Sequence, residues 1–488
     1  MLKMVDGTGI IGVDMVCPLG ATVSPPQPPN YDNIEMEGVG SLMLPNSLKA
    51  PIERLELIGN SVQGENPAPD NPQEIKSAGR KSKNLFNKNA VKQGYEFGSM
   101  ATDTETVKQG WFVSDFMPVK ATTYQISGKK TGNGCKLYSK DKVFVKNIQA
   151  PFGGIKFDDG IAYFRINGEI KDLDKIQVEE GTVATDYEPY GYLIDLKVTG
   201  KNLFSGYLKD GYYNDSGILT PLHECKTTDF IPIKNVVCTS FTSISERGFR
   251  IAEFDANKNF IKRKTVIKNK EVLLLDKNTR YIAASVNYEY YKNIMLEQKD
   301  EPSSYEPYTE QTVTLTSDRL ITKWDKLVEQ GGQIGWLYGS AVKTFESDVF
   351  KLYADNDKAI QYQVPFEEIT NSWNELVCYC NTFENVIRQT IYTQSGKTDF
   401  YMGCVHKSMV FSAKNKQGIF QSIEAFQEWI RNSGTYVWYK TDNKKFVPLL
   451  ESEQTQLRNL RSYNGTTHIT VDSGEVPCGI KLTYRKEI

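Results

Sequence analysis

The chain has 488 residues, in which 58 Lys and Arg nearly cancel 60 Asp and Glu for a formal charge of −2. That length accommodates three or four domains, and a hydrophobic fraction of 39% fits several small domains better than one large core. The balanced charge, with no basic stripe, excludes the footprint of a nucleic-acid binder and gives no pull toward an anionic membrane. Tyr (27) and Phe (23) are abundant beside Val, Ile and Thr, which is the side-chain chemistry of strands.

Residues 1–45 are rich in Gly and Pro, and Pro25-Pro26-Gln27-Pro28-Pro29 is a stiff spacer. They read as an extended N-terminal anchor arm. Asp14 interrupts the apolar run of Ile10, Ile11 and Val13, and Lys3 alone adds positive charge, so no secretory signal is expected. No stretch approaches the roughly 20 apolar residues of a membrane-spanning helix. The expectation is a soluble protein made in the cytoplasm, which leaves a cell only by lysis or as part of a particle. Residues 46–80 hold an alternating strand at 52–58 and then a linker through Pro67, Pro69 and Pro72.

Two tandem modules follow, at 81–192 and 193–309. The first opens on Asn84-Leu85-Phe86 and closes on Tyr187-Glu188-Pro189-Tyr190; the second opens on Asn202-Leu203-Phe204 and closes on Tyr305-Glu306-Pro307-Tyr308. Both ends are offset by 118 positions. Between them, Asp115-Phe116-Met117-Pro118 matches Asp229-Phe230-Ile231-Pro232, Tyr138 and Phe144 match Phe254 and Phe260, and Tyr163 matches Tyr281. The offset drifts inside and returns, as loop insertions between shared strands make it do. Short alternating segments separated by turn residues predict an antiparallel β-sandwich for each module, with a first hairpin near Gly94-Tyr95 and Gly211-Tyr212.

A strand-rich connector spans 310–340, with strands at 312–316 and 336–338, and a C-terminal α+β domain spans 341–488. Its clearest helix runs over 423–432, with Ser422 as N-cap and Ile423, Phe426, Trp429 and Ile430 on one face. A second helix is expected over 453–460, and Asn464-Gly465 is expected to turn a hairpin. The predicted class is therefore mainly β, with two tandem jelly-roll-like sandwiches, a C-terminal α+β domain and an N-terminal arm.

Chemistry-bearing residues are sparse. His223, His406 and His468 are the three histidines, and a nucleophilic device needs one of them beside a nucleophile and a third orienting group. His468 lies in an alternating strand and is expected to face solvent, so no catalytic residue is assigned. Cys378, Cys380, Cys404 and His406 are a weak alternative as zinc ligands, because residues i and i+2 share a strand face. Structural zinc sites favour C-x-x-C knuckles, which are missing here, so no metal and no other cofactor is expected. The eight cysteines (17, 135, 225, 238, 378, 380, 404 and 478) are irregularly spaced, which argues against a disulfide framework. Asp158-Asp159 and Glu179-Glu180 are carboxylate pairs of the kind glycoside hydrolysis uses, but neighbours on a strand point to opposite faces. No phosphate-binding Gly-rich loop or G-x-S-x-G elbow occurs. Trp111, Tyr212, Tyr213, Trp336 and Trp373 are candidate stacking platforms for sugar rings, with core packing as the competing reading for each.

The repeated unit resembles modules of tail, baseplate and minor structural proteins from phages and prophages of Gram-positive bacteria. The residues that carry the resemblance are Lys83 to Phe86 and Lys201 to Phe204, the Asp-Phe-x-Pro-x-Lys segments at 115–120 and 229–234, and the closure at 179–190. Copy two departs from the closing Gly-x-x-Ala, with Lys299-Asp300-Glu301-Pro302. The stretches 57–76, 429–439 and 463–473 look like the flanking parts of such proteins. The resemblance implies carbohydrate-binding-like jelly rolls on a virion tail and no enzyme activity. It further implies docking to other tail proteins through the N-terminal arm, attachment to host cell-wall polysaccharide or surface glycan, and a homo-oligomer, most simply a trimer. A purely architectural component and a polysaccharide-degrading tail protein are the alternatives. Copy one has Glu96 where copy two has Tyr213, so spacer and lectin are both open roles for the modules.

Overall fold

The computed structural model describes residues 31–488 except 100, 131–133, 149–152, 234–235, 244–248, 267–268, 288–290, 415–417 and 488, together with 4–6 and 9–11. The proline spacer at 25–29 lies outside the described residues. The protein is mainly β, with half of the chain in strands and three helices: α1 (Arg388–Thr393), α2 (Ile423–Asn432) and α3 (Glu451–Asn459).

A 12-stranded sheet, curled into a half-barrel, organises the molecule. Its strands come from sequence segments hundreds of residues apart. Tyr31–Val39 pairs with Gly479–Glu487 in unbroken antiparallel register, from Tyr31 opposite Glu487 to Val39 opposite Gly479. Ser41–Ser47 pairs with Gly465–Asp472, which pairs in turn with Tyr192–Thr199 and so with Glu310–Ser317. On the other side Gly479–Glu487 continues through Glu53–Ile58 and Lys326–Gln330 to Gln333–Thr344 and Tyr436–Pro448. Alternating apolar residues place Leu42, Leu44, Leu57, Ile194, Leu196 and Trp336 in one continuous core, and α3 joins it through Leu457. The Trp336 indole donates to the Thr316 carbonyl at 2.8 Å, which satisfies the only polar atom that this ring buries.

Three units are inserted between strands of this scaffold. The first module occupies the chain between Arg80–Lys81 and Tyr192–Thr199, the second between Tyr192–Thr199 and Glu310–Ser317, and the third between Gln333–Thr344 and Tyr436–Pro448. In the first, a six-stranded sheet and a three-stranded sheet (Gly153–Lys156, Thr123–Ser127, Gln177–Glu180) share a core of Phe112, Leu137, Phe164, Ile166, Tyr124 and Val178. The second repeats this arrangement, its three-stranded sheet formed by Glu271–Leu274, Val236–Ser243 and Tyr291–Glu297. The third has a five-stranded sheet, Lys351–Asp355 through Glu384–Asn385, against which α2 packs Phe426 and Ile430.

The sequence matches inside the repeat are structural equivalents. Tyr138 pairs with Tyr163 and Phe144, and Phe254 pairs with Tyr281 and Phe260. Phe116 stands edge-on to Tyr138 at 4.8 Å between centroids, as Phe230 does to Phe254 at 4.8 Å. Lys142 and Lys258, both at positive φ, lie over these clusters at 5.1 and 5.3 Å from Phe116 and Phe230. Gly94 and Gly211 also share positive φ, but Gly94 lies within the strand Lys92–Phe97 whereas Gly211 follows the strand Leu208–Asp210.

Several expectations are corrected. Residues 31–45, read as part of a free arm, are strands of the scaffold, because the C-terminal strand supplies their ladder partners. The connector 310–340 and the segments beyond 436 belong to that same sheet, so the C-terminal region is not one continuous unit. Asn464-Gly465 turns no hairpin: the segment leads from α3 into Gly465–Asp472, and Asn464 accepts the Lys49 amide at 3.0 Å. Helix α2 spans the expected 423–432, capped by Ser422, whose hydroxyl accepts from the Ala425 amide at 3.2 Å.

Candidate functional site

The third inserted unit presents an aromatic surface built from three separate segments. Trp373 comes from the loop after Ile369, Arg388 and Tyr392 sit one turn apart on α1, and His406 forms the tight turn between Phe400–Val405 and Ser408–Ala413. Residues i and i+4 share a helix face, so Arg388 and Tyr392 reach the same side. Trp373 (48% exposed) and Tyr392 (42% exposed) stack with centroids 5.5 Å apart and planes at 28°.

Arg388 locks the arrangement. Its guanidinium carbon lies 4.7 Å from the Trp373 ring centre and 5.5 Å from that of Tyr392. Its nitrogens donate to Asn371 Oδ1 at 3.2 Å, to the Tyr392 hydroxyl at 3.3 Å and to His406 Nε2 at 2.7 Å. The Tyr392 hydroxyl also meets His406 Nε2 at 2.9 Å. Arginine donates and never accepts, so in this contact the ring nitrogen of His406 is the acceptor. The site thus offers two partly exposed aromatic rings, a fixed cation with no carboxylate partner among the described residues, and hydroxyl and amide groups. Such a set suits the apolar C–H face and hydroxyl rim of a sugar ring.

The other stacking candidates are placed differently. Trp336 is 1% exposed in the scaffold core and Tyr213 is buried against Phe230 and Phe254, so neither reaches a ligand. Trp111 is half-buried and carries the Lys108 ammonium 3.4 Å above its ring; Tyr212 is half-buried beneath Arg250 at 4.4 Å. Trp373 also has a cation over its ring, so what separates the candidates is exposure: Trp373 and Tyr392 are exposed, whereas Trp111 and Tyr212 are half-buried.

The weak zinc set does not converge. Cys378 and Cys404 meet at 3.6 Å between sulfurs, with Met402 Sδ 3.4 Å from Cys378, whereas Cys380 turns to the Thr382 hydroxyl and His406 is exposed at its turn. No group of three or more His, Cys, Asp or Glu side chains able to hold a metal occurs among the described residues. One member of each carboxylate pair is held in a structural contact. Asp158 pairs with Lys146 on the surface at 2.9 Å. Glu179 is buried and accepts from the Thr185 amide at 2.8 Å and from Gln177 at 2.7 Å; burial pushes its pKa up, but these hydrogen bonds outweigh it and hold the carboxyl below its usual range. In copy two Glu297 accepts from the Ser303 amide and hydroxyl, as Glu179 does from those of Thr185, so the departure at 299–302 leaves this part of the latch intact.

His468 is the largest departure from expectation. It is 5% exposed, because its strand is paired on both sides and the second module lies over it. The sequence offered no signal for the Arg388–Tyr392–His406 cluster beyond the i, i+4 spacing of two residues on a short helix.

Compared with protein families, with curated proteins and with solved structures, the chain matches none. Fold and site together define a class only: a mainly β protein in which inserted units are carried on a shared half-barrel sheet.

Proposed function

We propose that the chain is a non-enzymatic attachment protein of a phage tail or baseplate, which holds a host cell-surface glycan on the Trp373–Tyr392 platform. The observation that carries this reading is the exposed stacked pair fixed by Arg388. The two modules, as jelly-roll-like sandwiches of the carbohydrate-binding kind, act as architectural units carried on the same scaffold as the third unit. The half-burial of Trp111 and Tyr212, against the exposure of Trp373 and Tyr392, favours an architectural role over a lectin role for them. Other tail proteins, reached through the N-terminal segment, and further copies of this chain, most simply as a trimer, complete the assembly. A monomeric mass in light scattering would count against the trimer.

The test is binding of the labelled full-length chain to host cells and to purified wall polysaccharide. The expected result is binding that Trp373→Ala weakens about 3- to 10-fold, the equivalent of about 0.5–1.5 kcal/mol for one aromatic contact, with an unchanged melting temperature. Absence of wild-type binding to either material would sink the attachment reading in favour of a purely architectural part.

A further inference from the structure

Two sheets face each other inside the third inserted unit, and sulfur atoms meet between them. Cys378 lies on the strand Cys378–Cys380, which pairs with Tyr436–Pro448 at the end of the 12-stranded sheet. Cys404 lies on Phe400–Val405, within the five-stranded sheet. Residues i and i+2 of a strand share a face, so Met402 and Cys404 both point across the core at Cys378. The Cys378 and Cys404 sulfurs are 3.6 Å apart, and Met402 Sδ is 3.4 Å from Cys378 Sγ. Both thiols are free and buried, in a core shared with Phe411, Val437 and Tyr439.

The two cysteines stand 26 positions apart, and the segment between them contains α1 with Arg388 and Tyr392. Trp373 lies just ahead of Cys378 and His406 just after Cys404. Both ends of the segment that carries the aromatic platform therefore converge on one sulfur pair. The neighbouring thiol of Cys380 turns instead to the Thr382 hydroxyl at 3.4 Å.

We propose that Cys378 and Cys404 are a latent disulfide, formed when the chain meets an oxidising small disulfide, that staples the two sheets beneath the platform. The bond needs the sulfurs about 1.5 Å closer, within reach of small rotations about χ1 in both side chains. The thiolate of one cysteine attacks a small disulfide such as glutathione disulfide, which gives a mixed disulfide and releases one small thiol. The thiolate of the other cysteine attacks the protein sulfur of that mixed disulfide and releases the second. Each cysteine proton ends on a released thiol; the protein sulfurs lose two electrons and the small disulfide gains them. Burial shuts the reagent out of the packed core, so exchange proceeds while the unit is locally open. Closing the ring restricts the unfolded segment and so stabilises the unit. The bond is independent of any glycan on the Trp373 platform.

The experiment uses the full chain, purified with a reductant and then incubated with glutathione disulfide in sub-denaturing urea. Remaining thiols are alkylated, and a tryptic digest is mapped by mass spectrometry. Trypsin releases Cys378 and Cys380 in peptide 359–388 and Cys404 in peptide 398–407; Cys380→Ser settles which of the first two is joined. The expected result is these peptides linked, at a mass two hydrogens below their sum, in Cys380→Ser as in the unaltered chain. Calorimetry should show one transition raised by roughly 5–15 °C in the oxidised chain, and returned by dithiothreitol. This compares two redox states of one chain, so it needs no variant that replaces a core thiol of the pair. Absence of the linked peptides, a link that disappears in Cys380→Ser, or a linked chain that melts unchanged overturns the proposal.

Discussion

Asn84 donates its side-chain amide to the backbone carbonyl of Glu188 at 3.0 Å, tying the opening residue of the first module to its closing turn. The same amide donates to the Ile176 carbonyl and accepts from the Phe86 and Val178 amides. Asn202 repeats all four contacts with Glu306, Ile294, Phe204 and Leu296. An inserted unit must return its chain ends to one place, and this clasp does so. It explains why Asn-Leu-Phe and Tyr-Glu-Pro-Tyr are the parts of the repeat that match most plainly.

Asn84→Ala and Asn202→Ala should therefore each destabilise their own module by roughly 2–4 kcal/mol, since each buried group left unpaired costs about 1–3 kcal/mol. Differential scanning calorimetry should show one transition moved in each variant and the others unmoved. Unaltered melting in both would remove the clasp from the account.

Deleting residues 1–47 should unfold the scaffold. The deletion strips the ladder partner of Gly479–Glu487 and removes Leu42 and Leu44, each worth about 1.5–3 kcal/mol when fully buried. A dispensable arm would instead leave circular dichroism and melting temperature as they are in the intact chain.

His468 makes stability sensitive to mild acid. Its folded pKa is about 4, against about 6.5 in an unfolded chain. Above pH 6.5 the ring is neutral in both states and contributes no pH dependence. Below it the unfolded chain takes up a proton that the folded chain refuses, so stability falls between about pH 6.5 and about pH 4 and then levels off, by about 3 kcal/mol in all. Urea unfolding across this window should show a flatter profile for His468→Gln. Parallel profiles would contradict the assignment.

The buried thiols should be inert in the native state. Burial pushes Cys380 up to about 11 and Cys478 up to about 11, and holds Cys404 well above the usual thiol range. Iodoacetamide at neutral pH should label Cys225, which is half-buried, before any of them. Because Cys380 and His406 point away from the Cys378–Cys404 contact, added zinc should leave the melting temperature where it was. A zinc-induced rise would require a different arrangement of that region.

The sequence by itself determined the duplication, the strand character and helix α2. Each rests on local pattern: alternation along a strand, the 3.6-residue spacing of Phe426 and Ile430 with Ser422 ahead of them, and two copies that could be compared position by position. Within the candidate site it singled out Trp373 and His406 but not the Arg388 and Tyr392 that join them, because Trp373 and Arg388 meet through a loop whose path no periodicity encodes.

Tertiary structure alone decided what carries the modules and which aromatics are available. Strand pairing is a long-range choice: nothing near Tyr31 indicates that Glu487 lies opposite it, and alternation is the same for a strand in a hairpin as for one in a 12-stranded sheet. The faces of His468, Trp336 and Tyr213 were settled in the same way. Burial depends on what covers a strand, and the second module covers His468 from a part of the chain more than 150 residues away.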